Sequence, residues 1–173
     1  RAIFKVAGVE FPALVGLVQP FLKPLALLLL GDMQHELEDG DAVLRAWEGV
    51  RCIRFSGGEP TLHPELARWV RLARTLGSER VAVSTNGSAT IERYQELLDA
   101  GVDDVSVSLD ACCAEDGDRM AGRVDGAWRR VVDAIKWLAA RVYTTVGVVL
   151  MRDNEASASR MLALAHASGV ADF

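Results

Sequence analysis

Hydrophobic and polar positions repeat one arrangement along most of the chain. From residue 36 onward, apolar residues at helical spacing fill segments that end at a glycine, and a short β-branched run follows each of them. The helical spacing predicts helices over residues 37–47, 64–76, 91–100, 128–140 and 156–168. The apolar runs predict strands over residues 25–30, 51–55, 81–84, 104–109 and 144–150, and the start of another at residues 171–173.

Strands that alternate with helices of this length are typical of βαβ units with right-handed crossovers and a parallel sheet. About six strands are too few for a complete eight-unit barrel, which takes about 250 residues. The pattern therefore predicts an α/β fold, either a partial barrel or an open doubly wound sheet, in one domain over residues 1–173. Residues 1–24 are expected to form an N-terminal extension. In both architectures the chemistry lies where the strands end.

Composition and charge narrow the class of function. The chain has 19 lysines and arginines against 24 aspartates and glutamates, whereas nucleic-acid binding depends on basic surface. We therefore expect no nucleic-acid partner. Residues 11–30 are apolar, but Pro12, Pro20, Lys23 and Pro24 interrupt them, and a spanning helix needs about 20 apolar residues. We expect no membrane segment. Three cysteines in a chain of this size favour a reducing compartment, and the cytoplasm is expected.

Two predicted strand ends carry a glycine-containing turn with polar side chains. Ser-Gly-Gly-Glu-Pro, residues 56–60, exposes backbone to which a ligand has access and offers the carboxylate of Glu59. Ser-Thr-Asn-Gly, residues 84–87, offers hydroxyl and amide groups. On spacing alone each segment also fits a plain turn, with Glu59 solvated in the first and Asn86 or the glycine at positive φ in the second.

The next strand end is polar along one side. Ser106, Ser108 and Asp110 alternate with apolar residues, so they share one side of the strand. A polar ligand is favoured there, because burying such groups without partners is costly. The preceding pair, Asp103-Asp104, is expected to be a solvated turn.

The order of these segments resembles the radical S-adenosylmethionine (radical SAM) superfamily. The resemblance rests on residues 54–64, 84–87 and 106–110 at successive strand ends. Residues 118–122 and 126–128 resemble the stretch after the fourth strand in its molybdopterin-, haem- and peptide-modifying branches. The resemblance covers residue 25 to the end, and it implies a partial parallel (β/α)6 barrel that is incomplete at the C-terminus.

The resemblance also implies a site for S-adenosylmethionine (SAM) at the strand ends. It implies that Gly57, Gly58 and Glu59 receive the methionine amino group, with Glu59 accepting a hydrogen bond from the ammonium. The remaining contacts are implied for polar residues at the following strand ends: Ser84, Thr85, Asn86, Ser108, Asp110 and Asn154.

One part of the family pattern is missing. The family holds a 4Fe-4S cluster with Cys-x3-Cys-x2-Cys after the first strand, whereas residues 31–36 here read Gly-Asp-Met-Gln-His-Glu. Cys52 opens a strand, and the adjacent side chains of Cys112 and Cys113 are expected to diverge, so no metal ligand is expected among them. The favoured interpretation is that the cysteine loop is missing from this copy of a longer protein. The alternative is that the chain lost it.

The sequence thus predicts the core of a radical SAM enzyme. In complete form, with its cluster, such an enzyme cleaves SAM to a 5′-deoxyadenosyl radical, which abstracts hydrogen from a small-molecule or peptide substrate. One alternative is a cluster-free relative that binds SAM or an adenosine product without radical chemistry. Another is an unrelated α/β enzyme that uses Glu59 and Asp110 as acid and base.

Overall fold

A parallel β-sheet with helices packed against one face organises the described part of the chain. The computed structural model describes the backbone of residues 4–6, 9–11 and 25–30, and both backbone and side chains of residues 40–173. The strands are β1 (Phe4–Val6), β2 (Val9–Phe11), β3 (Leu25–Leu30), β4 (Cys52–Gly57), β5 (Arg80–Thr85), β6 (Asp104–Ser108) and β7 (Tyr143–Gly147). The helices are α1 (Gly40–Ala46), α2 (Leu66–Thr75), α3 (Ile91–Ala100), α4 (Ala114–Met120), α5 (Ala127–Ala139) and α6 (Ala158–Ala167). Short 3-10 helices lie at Pro60–Leu62 and Glu155–Ser157.

The strand order identifies the architecture. The main sheet has five strands in the order β3-β4-β5-β6-β7, and every pairing is parallel. Each crossover adds the next strand on the same side, whereas a doubly wound sheet reverses direction. Asp172 forms a parallel bridge with Thr145 of β7, so another strand begins where the sequence predicts it. The predicted partial barrel is confirmed, and the doubly wound alternative is wrong for the described strands.

The apolar face of the sheet forms the core with the helices. Ile53 and Phe55 in β4 are buried, at 2% and 0% exposure, because alternate side chains of a strand point to the same face. The same core continues through other strands and three of the helices, with these residues among its members: Leu66, Val70, Val81, Val83, Leu97, Val105, Val107, Ile135, Leu138 and Val146.

The opposite face of the sheet carries polar side chains on β4 to β7. Ser84, Ser106 and Thr145 lie side by side across β5, β6 and β7, and Nη1 of Arg54 donates to Oγ of Ser84 at 3.2 Å. A complete parallel barrel would enclose this face. The loops at the carboxyl ends of the strands therefore meet at the rim of a polar surface.

The expectation that Asp103 and Asp104 form a solvated turn is wrong. Asp104 is 2% exposed and pairs with Arg80 at 2.6 Å and with Arg54 at 3.3 Å. Oδ2 of Asp103 accepts from the N–H of Val81 at 2.7 Å, and Arg74 contacts its other oxygen. The cause lies outside the local sequence, because β4, β5 and α2 bring arginines to the first residues of β6.

Several boundaries differ from those predicted. β7 ends at Gly147 and not at residue 150, because the N–H of Val149 turns to Oδ1 of Asp110, at 2.7 Å. Helix α4 was not predicted, because its residues have no apolar stripe and none of them is buried. β1 and β2 form an antiparallel pair within the predicted N-terminal extension.

Two predictions fall on segments outside the described residues. They are the start of the first helix, at residues 37–39, and the cysteine-free loop at residues 31–36. Among the helices of the described ranges, none combines the length and the apolar character needed to cross a membrane.

Candidate functional site

The loops after β4, β5, β6 and β7 lie along one edge of the sheet, since neighbouring parallel strands end on the same side. These loops and the last residues of β4, β5 and β6 together hold the nine predicted site residues. The first two loops are joined directly by side-chain hydrogen bonds, and so are the last two.

Glu59 joins the loop after β4 to the loop after β5. Glu59 is 7% exposed. Oε1 accepts from the N–H of Thr61 at 3.1 Å, from the hydroxyl of Thr61, and from the hydroxyl of Thr85 at 2.8 Å. Oε2 accepts from the N–H of Asn86 at 2.6 Å. The interpretation of Glu59 as a solvated turn residue is therefore wrong. Four donors balance the cost of burying its charge.

Thr85 supports Glu59 from the apolar side of the sheet. It is 3% exposed, and its only proton goes to Glu59, so the hydroxyl of Tyr94 donates to Oγ1 of Thr85, over 3.2 Å. Burial raises the pKa of Tyr94 to about 12, so its hydroxyl stays protonated to a higher pH than that of an ordinary tyrosine. A line of hydrogen bonds thus runs from Tyr94 through Thr85 to Glu59. The predicted contact of Thr85 with a ligand stays a prediction.

The backbone beside Glu59 is open. Gly57 and Gly58 are exposed. A β-carbon added to Gly58 would meet no atom of the described residues within 4 Å, and Gly58 does not have a positive φ. A ligand therefore has access to the backbone next to the buried carboxylate. The predicted contact of Gly57, Gly58 and Glu59 with a ligand stays a prediction.

The remaining predicted residues of the β5 and β6 loops differ in exposure. Ser84 is half-buried on the polar face, and Asn86 and Ser108 are exposed. Oδ1 of Asn86 accepts from the N–H of Ser88 at 2.9 Å, which stabilises the turn. Ser84 and Ser108 have hydroxyls directed to the side that a ligand would occupy, since alternate residues of these strands share the polar face.

Asp110 and Asn154 join the loop after β6 to the loop after β7. Nδ2 of Asn154 donates to the carbonyls of Asp110 and Val149, at 3.0 and 2.9 Å, and its Oδ1 accepts from the N–H of Met151 at 2.8 Å. Asn154 is 4% exposed. Its amide is therefore engaged in holding the loop, and its predicted place near a nucleoside stays a prediction.

Arg93 belongs to the site although sequence reasoning missed it. Its Nε donates to the carbonyl of Thr61 at 3.0 Å, and its Nη2 donates to the carbonyl of His63. These bonds tie α3 to the 3-10 helix that follows Glu59. The sequence has no local signal for this role, because Arg93 lies about 30 residues from its partners.

Cys112 and Cys113 converge, so the expectation that their side chains diverge is wrong. Their Sγ atoms are 3.3 Å apart, and Sγ of Cys113 lies 3.5 Å from Oδ2 of Asp116. The cause is the turn into α4, which brings both thiols to one side. A hydrogen bond from the Ser157 side chain lowers the pKa of the Cys112 thiol, and the charge of Arg160 adds to that effect.

Comparison with known proteins gives consistent matches. A family model described as "Radical SAM superfamily" matches residues 34–165. GTP 3',8-cyclase from Chlorobaculum tepidum is 47% identical over 68 residues, which are 39% of this chain and 21% of that protein. PqqA peptide cyclase from Methylocella silvestris is 34% identical over 122 residues, 70% of this chain and 32% of that protein. The chain spans a fifth to a third of the length of these relatives.

Solved structures support the same fold. A structure of TYW1 with a lysine-pyruvate adduct bound has a TM-score of 0.58 at 20% identity, over 72% of this chain and 40% of that one. A crystal structure of archaeal TYW1 has a TM-score of 0.55 at 21% identity, over 73% of this chain and 42% of that one. At these identities the similarity supports the partial barrel alone.

Proposed function

Because the chain belongs to the radical SAM superfamily, we propose that its strand-end loops bind the SAM that this family uses together with a 4Fe-4S cluster. The observation that carries the proposal is that Glu59 is buried, with both carboxylate oxygens hydrogen-bonded, directly beside the exposed backbone of Gly58. A carboxylate fixed before the ligand arrives does not have to be ordered on binding, which favours affinity.

The proposed site matches the groups of the methionine end of SAM. Among residues 40–173, Oε2 of Glu59 accepts from one donor, the N–H of Asn86, whereas Oε1 accepts from three. An ammonium group would therefore bind at Oε2, beside the bare backbone of Gly57 and Gly58. The hydroxyls of Ser84 and Ser108 would supply donors for the methionine carboxylate or the ribose.

The ribose end is proposed to lie toward β6. One oxygen of Asp110 holds the N–H of Val149, and the other has no bond to a protein donor in residues 40–173. A carboxylate oxygen of this kind accepts well from a ribose hydroxyl. Asn154 keeps the adjoining loop in place and so orients Asp110. SAM would then extend across the strand ends from β4 to β7.

The cysteines of this chain do not fit the cluster. In the family the cluster supplies the electron that cleaves SAM to the 5′-deoxyadenosyl radical. Cys52 lies at the amino end of β4, paired with the first residue of β5, whereas Cys112 and Cys113 follow the carboxyl end of β6. These are the three cysteines of the chain, so no three-thiolate site forms among them. The proposal for this chain's own residues is therefore the binding and orientation of SAM.

Both relatives are named as cyclases, one of GTP and one of a peptide. These names support radical-initiated ring closure, on a small molecule or a peptide, as the reaction class of the complete protein. The three cysteines are free, which supports the proposed location in the cytoplasm.

Substitution of Gly58 by Val tests the site directly. The β-carbon would contact none of the described residues, so the fold should survive, whereas a ligand on that backbone would be displaced. We expect calorimetric titration of the full chain with SAM to show at least about tenfold weaker binding for Gly58→Val, since a steric overlap costs about 1–3 kcal/mol. Ala163→Val, at an exposed position of α6, is the matched control.

The melting temperatures of both variants should stay close to that of the wild type. Equal SAM affinity in Gly58→Val and in the wild type would contradict the proposed site. Binding that is lost in Gly58→Val but kept in Ala163→Val would support it.

A further inference from the structure

A group of metal-binding donors lies outside the proposed SAM site. The ligand atoms of Cys112, Cys113 and Asp116 all lie within 4.8 Å of one another. Two are sulfur atoms and one is a carboxylate oxygen, and all three residues are half-buried. Neither the proposed binding of SAM nor the family's cysteine loop uses them.

The backbone holds these donors together. Cys113 is extended, with φ −154° and ψ 163°, and it caps the start of α4. The N–H of Gly117 donates to the carbonyl of Cys113 at 3.0 Å, which closes the first turn and brings Asp116 back to the Cys113 thiol. The backbone at the start of α4 therefore brings Asp116 close to the Cys113 thiol.

The carboxylate of Asp116 is already oriented. Its Oδ1 accepts from Nη2 of Arg119 at 2.7 Å, which leaves Oδ2 on the side of Cys113. Partners that fix a ligand in this way are a regular feature of protein metal sites. Ser157 and Arg160 approach Cys112 from the loop after β7 and from α6. The donors thus lie between two strand-end loops.

The spacing suits a shared metal ion better than a disulfide. Adjacent Cα atoms are about 3.8 Å apart across a trans peptide, which is shorter than the roughly 4.4–6.8 Å usual for disulfides. In a tetrahedral zinc site with Zn–S bonds of about 2.3 Å, the two sulfur atoms are about 3.8 Å apart. The Sγ atoms are 3.3 Å apart, and a small rotation of the side chains would bring them to the zinc-site distance.

We propose that Cys112, Cys113 and Asp116 bind one Zn²⁺ through two thiolates and Oδ2 of the carboxylate. The fourth position is left for water or for a substrate group. Three protein ligands with one open position are typical of zinc sites that exchange a ligand, whereas structural zinc sites have four. The site lies directly after Asp110, at the same edge of the sheet as the proposed SAM site.

Metal titration of the reduced full chain under anaerobic conditions tests the proposal. We expect one Zn²⁺ per chain, and we expect Co²⁺ in its place to show the charge-transfer absorption of thiolate ligands. Zn²⁺ affinity should fall by about a hundredfold in Cys112→Ser and in Cys113→Ser, and by about tenfold in Asp116→Asn, because each loses a ligand. Cys52→Ser, at the other end of the sheet, is the matched control and should bind normally.

The folded state is monitored in each variant by near-ultraviolet circular dichroism. Zn²⁺ affinity that is unchanged in folded Cys112→Ser and Cys113→Ser would overturn the proposal. So would an equal loss of Zn²⁺ in Cys52→Ser, or a wild-type chain that binds no Zn²⁺ after reduction. A Cys112–Cys113 disulfide that persists under reducing conditions, seen as a mass lower by two hydrogens, would also overturn it.

Discussion

The residue that organises the strand-end edge is a buried carboxylate. Transfer of a charged group from water into a protein interior is unfavourable unless hydrogen bonds replace the lost solvent. Glu59 receives these bonds from Thr61, Thr85 and Asn86, on two loops that are far apart in sequence. The hydrogen bonds that offset the cost of burying the Glu59 carboxylate also fix its position. A ligand ammonium would therefore meet an acceptor that is already in place.

Gly87 is a residue whose identity the packing requires. Its φ is +79°, and an added β-carbon would lie 2.9 Å from Val131 and 3.1 Å from Val107. Gly49 has nearly the same φ, +80°, but open space around it. We expect Gly49→Ala to lower the free energy of unfolding by about 1 kcal/mol through backbone strain. Gly87→Ala should lower it by about 1–3 kcal/mol more, because overlap adds to the strain.

Chemical denaturation of the two variants measures this difference. Equal destabilisation in both would show that the contacts of Gly87 with the valines relax without cost. The packing of the β5 loop against α5 would then be looser than the structure describes.

At the level of elements, the connection between α4 and α5 depends on one side chain. The carboxylate of Asp118 accepts from the N–H groups of Gly126 and Trp128, at 2.9 and 2.8 Å. These bonds close the loop between the helices and provide the start of α5 with an acceptor. Helix α4 has no buried residue, so it depends on such contacts more than the other helices do.

The Asp118 carboxylate should make stability depend on pH. The bonds from Trp128 and Gly126 lower its pKa below the ordinary value of 3.8. A lowered pKa in the folded state means that the stabilisation is complete above the unfolded pKa and is lost as pH falls through the folded pKa. We expect Asp118→Asn to melt at a lower temperature than the wild type at pH 7. The gap should narrow as pH falls below 3.8.

Melting curves from pH 7 to pH 2.5 would check this expectation, with Asp125→Asn in the same loop as the control. A gap between wild type and Asp118→Asn that stays constant over that range would contradict the assignment. The backbone bonds would then not depend on the charge of Asp118.

The elements also show how far the sequence predicts the structure. Apolar periodicity placed β4, β5, β6 and α3 within a few residues, because each of these elements buries a row of apolar side chains. It also placed β3 at Leu25–Leu30. The pattern did not predict α4, because the residues of that helix are mostly polar. It extended β7 past Gly147, because residues 148–150 are apolar. The hydrogen bond from the N–H of Val149 to Asp110 turns the backbone of these residues away from the strand. The local hydrophobic pattern indicates which residues are buried. A prediction from that pattern is wrong where a side chain distant in sequence determines the backbone conformation.

The candidate site was predictable in part for the same reason. The Gly-Gly-Glu and Ser-Thr-Asn-Gly segments stand out because they follow apolar strands. Their direct connection through Glu59 and the support from Arg93 could not be predicted, because these contacts cross 26 to 32 residues of sequence. The contact of Tyr94 with Thr85 crosses only 9 residues, but it joins a strand to the helix that follows it. The convergence of Cys112 and Cys113 was missed because it depends on the unpredicted helix α4.

For the molecule as a whole, the sheet order and the polar face describe part of a barrel whose strand ends share one binding surface. Hydroxyls from three neighbouring strands line that face, and the loops above it are joined in pairs by Glu59 and Asn154. We propose that this edge binds SAM through Glu59. A test has to distinguish two roles of Glu59: binding the ligand and holding the two loops together.

Two substitutions make that separation. Thr61→Val removes one hydrogen bond to Glu59 but keeps its charge, so it should lower stability by about 1 kcal/mol and leave SAM affinity nearly unchanged. Glu59→Gln removes the negative charge and with it a charge-assisted hydrogen bond to the ammonium, which is worth about 1.5–3 kcal/mol. It also weakens the hydrogen bonds that Glu59 accepts from the two loops.

The decisive measurement is calorimetric titration of SAM into the wild-type chain, Thr61→Val and Glu59→Gln, each below its own melting transition. We expect Glu59→Gln to bind SAM about ten- to a hundredfold more weakly than Thr61→Val does. Equal affinities in the two variants, or no SAM binding by the wild-type chain, would contradict the proposal.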